Sequence, residues 1–367
     1  MRLSTSFSFV ALTAITTTSF VQAVAIRGIG SPTLHIFGDS LSDIGTLKDL
    51  TLGLLPPKPY WQGRFSSGPV WNEYLAKLLG FNLYNKAIGG STSDNANSAL
   101  LDFSPIDLPI DIPSTQDQIN FFRLANPLYP VSLARNQDIA VLEVGANDFF
   151  AEMLNLATNT LTIESFVGTL SNTVVKQLEQ LRKIGFKNIL VANMAAIQYT
   201  PFADILNIEG IANTTVSMYN QQLANKVNAW ARSVSGLGYF VIADIGGFVE
   251  STAKSPAIAN ALGLTDVKTS CVGGNLLNLV QADNKLIALL KLIVNANENL
   301  MCDNPSENYF MDFVHPAERI QRLFGYYSRE LVLAVQSGKQ LPPSEDTLLA
   351  LISKYNLGSA VAKPVQV

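Results

Sequence analysis

The sequence predicts an α/β fold in which a parallel sheet lies between layers of helices. Short apolar runs alternate along the chain with longer segments whose apolar residues recur at helical spacing. The run from Ile139 to Val144 is broken only by Glu143, as expected for a strand that is covered on both faces. Alternation of this kind implies right-handed crossover connections and therefore a parallel sheet.

The strands are placed by their apolar runs and by the turn residues that follow them. The first run leads into Gly-Asp-Ser, the second into a Gly-Gly pair and the third into Gly-Ala-Asn. The expected strands are Leu34 to Phe37, Leu83 to Ala87, Ile139 to Val144, Asn188 to Ala192 and Tyr239 to Ala243.

The helices are placed by apolar periodicity and by their end signals. Gly185 is a stop signal for the helix before it, and Pro316 fits the start of a later one. The expected helices are Val70 to Leu79, Ile163 to Ile184, Gly210 to Val234, Lys285 to Val294, Ala317 to Ser337 and Leu348 to Tyr355.

Three stretches interrupt the alternation, at 56–71, 95–136 and 251–308, and we interpret them as insertions over one edge of the core. The sequence thus predicts a single domain over 26–338 with loop insertions, followed by a C-terminal tail over 339–367. Its 367 residues, 48% of them hydrophobic, can bury a large core. The net charge of −4 and the lack of a basic block argue against a nucleic-acid partner.

Residues 1–25 have the pattern of a secretory signal peptide. Arg2 supplies a minimal basic start, Phe7 to Ile15 form a short apolar core, and Ala23-Val24-Ala25 fits the cleavage rule. The apolar core is far shorter than the roughly 20 residues that span a bilayer, which disfavours a membrane anchor. The sequence therefore predicts a secreted, extracellular protein whose mature chain begins near Ile26.

Secretion makes the two cysteines informative. In an oxidising compartment Cys271 and Cys302 most simply form one disulfide, and the alternative is a pair of buried free thiols. Asn213 begins an N-glycosylation sequon that a eukaryotic host could use. Because the chain has two histidines and no Cys/His cluster, a histidine-rich metal site is excluded.

Four short segments carry the residue types that acyl transfer needs. Ser40 follows the first strand and can act as a nucleophile at the carboxyl end of the sheet. Asp312 and His315 have the spacing of a carboxylate that orients an imidazole base. Gly90 and Asn147 lie at strand exits, where their N–H groups can stabilise an oxyanion. The segments are FGDSLSDIG at 37–45, NKAIGGSTS at 85–93, VGANDFF at 144–150 and DFVHP at 312–316.

The base must be one of two histidines. His35 lies inside the first strand, five residues before Ser40 on an extended backbone, so we expect it to be a packed strand residue. Any nucleophilic serine would therefore use His315. The structural alternative is that Asp312 caps a helix beside an incidental histidine.

The other segments also have ordinary structural alternatives. Gly-Asp-Ser could be a strand-to-helix turn, and the residues from Leu41 to Gly45 can begin a helix whose N-terminal amides face the site. The glycine pair and Asn147 could be simple turn signals. Gly89 competes with Gly90 for the role of oxyanion donor.

The sequences of the four segments and their order resemble those of the GDSL or SGNH family of serine esterases and lipases. The similarity spans Thr33 to Tyr327, and residues 59–76 look like a stretch of the long-form plant and bacterial members. The resemblance implies a flavodoxin-like, three-layer α/β/α sandwich around a five-stranded parallel sheet, with no cofactor and no metal. It assigns the nucleophile to Ser40, the acid–base pair to Asp312 and His315, and the oxyanion hole to Ser40, Gly90 and Asn147. The region from Cys271 to Cys302 and the tail after Gly338 match no motif of the family.

The sequence therefore predicts a secreted carboxylic ester hydrolase, a lipase or esterase that works through an acyl-enzyme. Its substrate stays open between a lipid ester with a medium or long acyl chain and a short-chain or acylated carbohydrate ester. Transfer of the acyl group to an alcohol, a non-catalytic binding protein and the oligomeric state also stay open. Five aromatic residues either line an acyl groove or belong to the core: Tyr60, Trp61, Phe65, Phe149 and Phe150.

Overall fold

The computed structural model describes residues 31–97, 100–103, 108–129, 136–274, 280–296 and 298–358. The predicted signal peptide, 1–25, and the end of the predicted tail, 359–367, lie outside the described residues.

A parallel sheet of five strands forms the centre of the domain. The strands of the described chain are β1 (Thr33–Phe37), β2 (Asn82–Asn85), β3 (Leu100–Phe103), β4 (Leu108–Asp111), β5 (Ile139–Leu142), β6 (Asn188–Ala192), β7 (Tyr239–Ala243), β8 (Asp266–Ser270) and β9 (Asn308–Phe310). The central sheet has the order β2-β1-β5-β6-β7, and every neighbouring pair in it is parallel. This is the flavodoxin-like order, so the predicted fold class is confirmed.

The helices cover both faces of this sheet. They are α1 (Thr46–Leu50), α2 (Trp71–Leu79), α3 (Thr115–Ala125), α4 (Ala146–Ala157), α5 (Ile163–Ile184), α6 (Pro201–Leu206), α7 (Glu209–Ser233), α8 (Ile245–Lys254), α9 (Pro256–Leu262), α10 (Lys285–Val294), α11 (Glu318–Gln336) and α12 (Glu345–Tyr355). Short 3-10 turns lie at Asn95–Asn97, Ile197–Tyr199, Glu298–Leu300 and Pro305–Glu307. The predicted helices are present, with ends that differ by at most a few residues.

Alternate residues of the central strands enter two different hydrophobic clusters. In β5, Ala140 and Leu142 pack into one cluster with α3, α5 and α7, whereas Ile139 and Val141 pack into the other with α2, α8 and α11. Side chains of a strand point alternately to opposite faces, so a strand buried on both faces must be apolar throughout. This explains the unbroken apolar run that predicted β5.

The helix expected directly after Ser40 begins later, at Thr46, so that prediction was wrong. The carboxylate of Asp43 accepts hydrogen bonds from the backbone N–H groups of Gly45, Thr46 and Leu47, at 2.7, 2.6 and 3.1 Å. These bonds satisfy the free N–H groups at the start of α1 and leave residues 41–45 as turns.

The predicted insertions and the predicted tail both pack against the domain. β3 and β4 form an antiparallel hairpin, and β8 pairs with β9 beside the sheet. Within the tail, the side chains of α12 join the buried cluster on the α11 side. The packed domain therefore extends past the predicted boundary at 338.

Cys271 and Cys302 form a disulfide, as predicted. The bond joins the end of β8 to the segment after α10, and so closes a loop that contains α10. Asn213, the predicted glycosylation site, is exposed on α7. Within the part of the chain described, no helix combines the length and apolar character that crossing a membrane would require.

Candidate active site

Ser40 lies in the turn that follows β1, at the carboxyl end of the sheet. Gln118 of α3 holds this turn in place. Its side chain accepts a hydrogen bond from the N–H of Gly38 and donates one to the carbonyl of Gly38, each at 2.9 Å. The strand order reverses between β1 and β5, and open α/β folds bind ligands at such a point. Ser40 itself is only 8% exposed.

Ser40, His315 and Asp312 form one continuous chain of hydrogen bonds. The hydroxyl of Ser40 lies 2.7 Å from Nε2 of His315. On the other side of the ring, Nδ1 of His315 lies 2.7 Å from Oδ2 and 2.9 Å from Oδ1 of Asp312. The structure thus brings together three residues that are up to 275 positions apart in sequence.

The segment from Asp312 to Pro316 is a tight turn between β9 and α11. The N–H of Met311 donates to the carbonyl of His315 at 2.8 Å, which folds the segment back on itself. Oδ1 of Asp312 accepts from the N–H groups of Val314 and His315, at 2.9 and 2.8 Å. Because these bonds fix the carboxylate inside its own turn, Asp312 faces the imidazole three residues later.

Asp312 is held in its charged form. Burial raises the pKa of Asp312, but the charge of His315 and the hydrogen bonds from His315, Tyr60 and Val314 outweigh burial. The pKa of this carboxyl therefore lies below its usual range. A buried carboxylate next to Nδ1 favours the ring form that keeps its proton on Nδ1, which leaves Nε2 free to accept one from Ser40.

The two glycines after β2 have different surroundings. The N–H of Gly89 donates to Asp43 at 2.8 Å, and a Cβ there would lie 2.3 Å from the ring of Phe65. Gly90 has φ +87°, a conformation that favours glycine, and it faces the cavity over Ser40. Gly89 is therefore a packing glycine, whereas Gly90 lines the cavity beside Ser40.

Asn147 lies in the first turn of α4 and lines the same cavity. One N–H of its amide donates to the carbonyl of Ser91 at 2.8 Å, which fixes the side chain and leaves its second N–H. Among the residues that the structure describes, no acceptor bonds to the backbone N–H of Ser40 or of Gly90. Ser40, Gly90 and Asn147 thus line one cavity, and each has an N–H group without an acceptor among the described residues.

Two buried carboxyls, Asp39 and Glu143, lie behind the serine turn. Glu143 accepts from the hydroxyl of Ser42 at 3.1 Å, and Asp39 accepts from the N–H of Leu41 at 3.0 Å. Burial, and then the negative charge of Glu143, raise the pKa of Asp39 well above its usual range. Burial also raises the pKa of Glu143. The negative charge of either carboxyl thus opposes ionisation of the other.

An apolar cavity, partly open to solvent, adjoins Ser40 and His315. One wall is α10, which contributes Leu286, Leu289, Leu290 and Ile293. Phe150, Phe248 and Phe324 line it from other elements. The cavity can therefore take an apolar group next to the serine hydroxyl.

The five aromatic residues of the sequence prediction separate into different roles. Phe65 and Phe150 line the cavity, and the ring of Phe65 lies 5.0 Å from that of His315. Phe149 is fully buried in the core, and Trp61 lies under the guanidinium of Arg64. The hydroxyl of Tyr60 donates to Asp312, a contact that sequence reasoning missed.

His35 is a packed strand residue, as expected. Its Nε2 lies 3.2 Å from Oδ2 of Asp138, and the hydroxyl of Tyr129 donates to the same oxygen at 2.9 Å. Its ring is also surrounded by those of Tyr84, Phe122 and Phe186. His35 is thus part of a second Tyr–Asp–His arrangement, which lies in the core and away from Ser40.

A serine, an imidazole and a carboxylate in one hydrogen-bonded chain, at the carboxyl end of a parallel sheet, define the class of serine hydrolases. Comparison with known proteins gives the family. The model of the GDSL-like lipase/acylhydrolase family matches residues 34–327, and the chain therefore belongs to that family. The predicted family and the predicted enzyme class, carboxylic ester hydrolase, are confirmed at this level.

Similar proteins include an acyltransferase and an esterase/lipase. The chain is 28% identical over 242 residues to the phosphatidylcholine-sterol acyltransferase of Aeromonas hydrophila, covering 65% of each chain. It is 25% identical over 323 residues to GDSL esterase/lipase 6 of Arabidopsis thaliana, covering 80% of this chain and 84% of the relative. The chain thus spans just under two thirds of the Aeromonas protein.

A similar solved structure is that of an acetylxylan esterase variant from Geobacillus stearothermophilus. It is 15% identical, the alignment covers 62% of this chain and 82% of the esterase, and the TM-score is 0.35. The sheet order of the chain itself defines its fold class.

Proposed function

We propose that this protein is a secreted serine hydrolase that cleaves carboxylic esters with apolar acyl chains through an acyl-enzyme. The observation that carries the proposal is the chain of hydrogen bonds from Ser40 through His315 to Asp312 beside an apolar cavity. A serine hydroxyl is a weak nucleophile at neutral pH and needs an adjacent, oriented base. His315 supplies the base and Asp312 orients it.

The positions of these groups support the following reaction. Oγ of Ser40 attacks the ester carbonyl while Nε2 of His315 takes its proton. The N–H groups of Ser40 and Gly90 and the amide of Asn147 stabilise the oxyanion of the tetrahedral intermediate. His315 then gives the proton to the leaving alcohol, and the acyl group stays on Ser40. Water, activated by His315, attacks the acyl-enzyme and releases the acid.

The lining of the cavity supports an aliphatic acyl group. Leu286, Leu289 and Leu290 present a continuous apolar surface beside Gly90, and aromatic rings cover the other side. Such a wall stabilises methylene groups by roughly 0.8 kcal/mol each when they leave water. A sugar ring would require polar partners that this wall does not offer, so the lipid ester is favoured over the acylated carbohydrate.

Secretion is supported by the signal pattern in residues 1–25 and by the Cys271–Cys302 disulfide, which persists in oxidising compartments. The partner that we propose is the ester substrate itself. The net charge of −4 gives no reason to add a nucleic acid.

Acyl transfer to an alcohol is the second candidate. Its support is the name of the Aeromonas relative, a phosphatidylcholine-sterol acyltransferase. Water and an alcohol attack the same acyl-enzyme, so the first half of the reaction is common to both. Added alcohol would give a new ester in place of the free acid if transfer is the activity.

The test is the hydrolysis of p-nitrophenyl acetate, butyrate, decanoate and palmitate by the purified protein. Ser40→Ala and the matched surface variant Ser217→Ala, on the exposed side of α7, are measured beside it. We expect faster turnover of the longer esters than of acetate, loss of activity in Ser40→Ala and normal activity in Ser217→Ala. Preference for acetate would favour the short-chain alternative, and an inactive protein would favour a binding function.

A further inference from the structure

The catalytic carboxylate has a partner from outside its own turn. The hydroxyl of Tyr60 donates to Oδ2 of Asp312 at 2.7 Å, and both side chains are buried. Tyr60 lies in the loop between α1 and α2, 252 residues before Asp312 in sequence. The four side chains Tyr60, Asp312, His315 and Ser40 are therefore hydrogen-bonded in series.

We propose that Tyr60 is a positioning residue for the reaction, whose hydroxyl fixes Asp312 and sets how strongly the acid–base pair holds a proton. The inference rests on the proposed function, because it assigns Tyr60 a part in the same reaction. Tyr60 acts through Asp312 and His315 and does not contact the ester.

The two oxygens of Asp312 differ in how they are held. Oδ1 accepts from the two backbone N–H groups of its own turn, at Val314 and His315. Oδ2, which makes the shorter contact with Nδ1 of His315, has Tyr60 as its further donor in the described part of the chain. Without the hydroxyl, Oδ2 would lose its donor from outside the turn.

Tyr60 is a permanent donor. Burial, and then the negative charge of Asp312, raise the pKa of Tyr60 well above its usual range, so the phenol keeps its proton. A hydrogen bond from a neutral donor spreads the charge of the carboxylate. Removal of that bond leaves more negative charge facing Nδ1, which stabilises the protonated imidazole. The acid limb of the pH profile, where the base becomes protonated, should then move to higher pH.

The other groups around the acid–base pair are the same in wild type and in a variant that lacks the Tyr60 hydroxyl. Among the described residues, the titratable groups near the pair include Asp39 after β1, Glu143 after β5 and Asp148 of α4. Glu143 interacts electrostatically with His315, and Asp148 with Asp39. The elements that pack against Tyr60 and Asp312 from the disulfide loop present apolar residues, among them Val272, Leu289 and Leu292. A shift of the acid limb on removal of the hydroxyl is therefore assigned to Tyr60.

The chain contains its own matched control. Tyr129 donates to Asp138, which contacts His35, so Tyr129→Phe removes the same kind of buried bond from a Tyr–Asp–His arrangement in the core. A loss of activity caused only by lower stability should occur in both variants. A positioning effect should occur in Tyr60→Phe alone.

The experiment compares wild type, Tyr60→Phe and Tyr129→Phe in p-nitrophenyl butyrate hydrolysis across the pH range, with kcat and KM determined separately and melting temperatures recorded. Active sites are titrated with a fluorophosphonate, so that kcat refers to folded enzyme even if a variant folds poorly. For Tyr60→Phe we expect kcat about tenfold lower, KM within about twofold, and an acid limb moved up by about half a pH unit. Tyr129→Phe should keep the wild-type kcat and acid limb.

Two results would overturn the inference while leaving the proposed function intact. One is an active wild type whose Tyr60→Phe variant keeps kcat within twofold and an unmoved acid limb. The other is an equal change in Tyr60→Phe and Tyr129→Phe. An inactive wild type that takes up no fluorophosphonate would instead overturn the proposed function, and the inference with it.

Discussion

The change of Asp312 to asparagine tests the direction of every hydrogen bond in the acid–base pair. Oδ1 faces two backbone N–H donors, at 2.9 and 2.8 Å, so the oxygen of an asparagine must stay on that side. Its NH₂ group then replaces Oδ2 and faces Nδ1 of His315 at 2.7 Å. Because an amide N–H cannot accept a proton, the shorter of the two contacts with Nδ1 is kept only if Nδ1 becomes the acceptor, and we expect the proton of the ring to move to Nε2.

A proton on Nε2 points at Ser40, 2.7 Å away, and blocks the transfer that starts the reaction. The hydroxyl of Tyr60, which donates to Oδ2 in wild type, turns to accept from the new NH₂ group, so the side chains keep their places but the imidazole can no longer act as the base. In Ser–His–Asp triads this change lowers kcat by about 10⁴. That loss corresponds to roughly 5 kcal/mol of activation free energy, and we expect a loss of this size for Asp312→Asn at neutral pH.

The assay is steady-state hydrolysis of p-nitrophenyl butyrate by Asp312→Asn, with Asp138→Asn as the matched control. Asp138 also accepts from a histidine and a tyrosine, but it faces no serine, so Asp138→Asn should lower the melting temperature and keep kcat. A kcat for Asp312→Asn within about tenfold of wild type would show that the substitution does not move the ring proton of His315 to Nε2. That result would refute the ring form assigned to His315.

Three further predictions concern the oxyanion donors, the cavity and the buried carboxyls. Asn147→Ala should lower kcat by roughly 10²–10³ with little change in KM, because its amide donates to the oxyanion and not to the bound ester. Leu290→Trp should shift the acyl-chain optimum towards shorter esters, since Leu290 lines the cavity beside Gly90 and a larger side chain fills it. Burial raises the pKa of Asp148 to about 7, above its unfolded value, so the stability that the neutral form contributes is lost as the pH rises through about 7. Between about pH 5 and pH 8 the free energy of unfolding should therefore fall by roughly 3 kcal/mol on account of this group, and by correspondingly less in Asp148→Asn.

Each of these predictions has a result that contradicts it. For Asn147→Ala, a KM that rises in proportion to the loss of rate would contradict the prediction. It would show that the amide binds the ester in the ground state. Leu290→Trp should leave acetate turnover near normal, and equal loss on all esters would mean that the cavity does not hold the acyl chain. The contribution of Asp148 is measured by chemical denaturation at several pH values. If the free energy of unfolding depends on pH equally in wild type and Asp148→Asn, the pKa assigned to Asp148 is contradicted.

The sheet could be predicted from the sequence because its strands are covered on both faces. Ile139, Ala140 and Val141 enter two different hydrophobic clusters, so their apolar character is visible without the fold. The start of α1 could not be predicted in the same way. It depends on Asp43, whose carboxylate binds three backbone N–H groups of the same turn, and nothing in the local periodicity marks that residue as the one that delays the helix.

The site was predictable as a set of residue types but not as a set of contacts. Asp312 and His315 lie three residues apart, and a short spacing of this kind limits where the carboxylate can reach. Tyr60 has no such local signal, because its partner lies 252 residues away and the tyrosine is equally compatible with a groove or a core position. The difference between Gly89 and Gly90 likewise depends on long-range contacts, with Asp43 on one side and with the cavity on the other.

The packing of α12, in the C-terminal tail, also could not be predicted from the sequence. The periodicity of α12 predicts a helix but not what it packs against. The predicted domain boundary was placed at 338 because the sequence does not show these contacts. In the structure Arg322 of α11 donates to the carbonyl of Leu357 at 2.9 Å, and Leu348 is fully buried. Contacts of this kind become visible only when both partners are placed.

The central claim is that Ser40 is the nucleophile and that His315 activates it. The most direct measurement is labelling of the purified protein with a fluorophosphonate, followed by mass spectrometry of the peptides, in wild type, Ser40→Ala and His315→Ala. We predict a single adduct on Ser40 in wild type, none in Ser40→Ala and strongly slowed labelling in His315→Ala, together with losses of about 10⁶ in turnover for both variants. An adduct on another serine, or near-normal ester hydrolysis by Ser40→Ala, would contradict the claim.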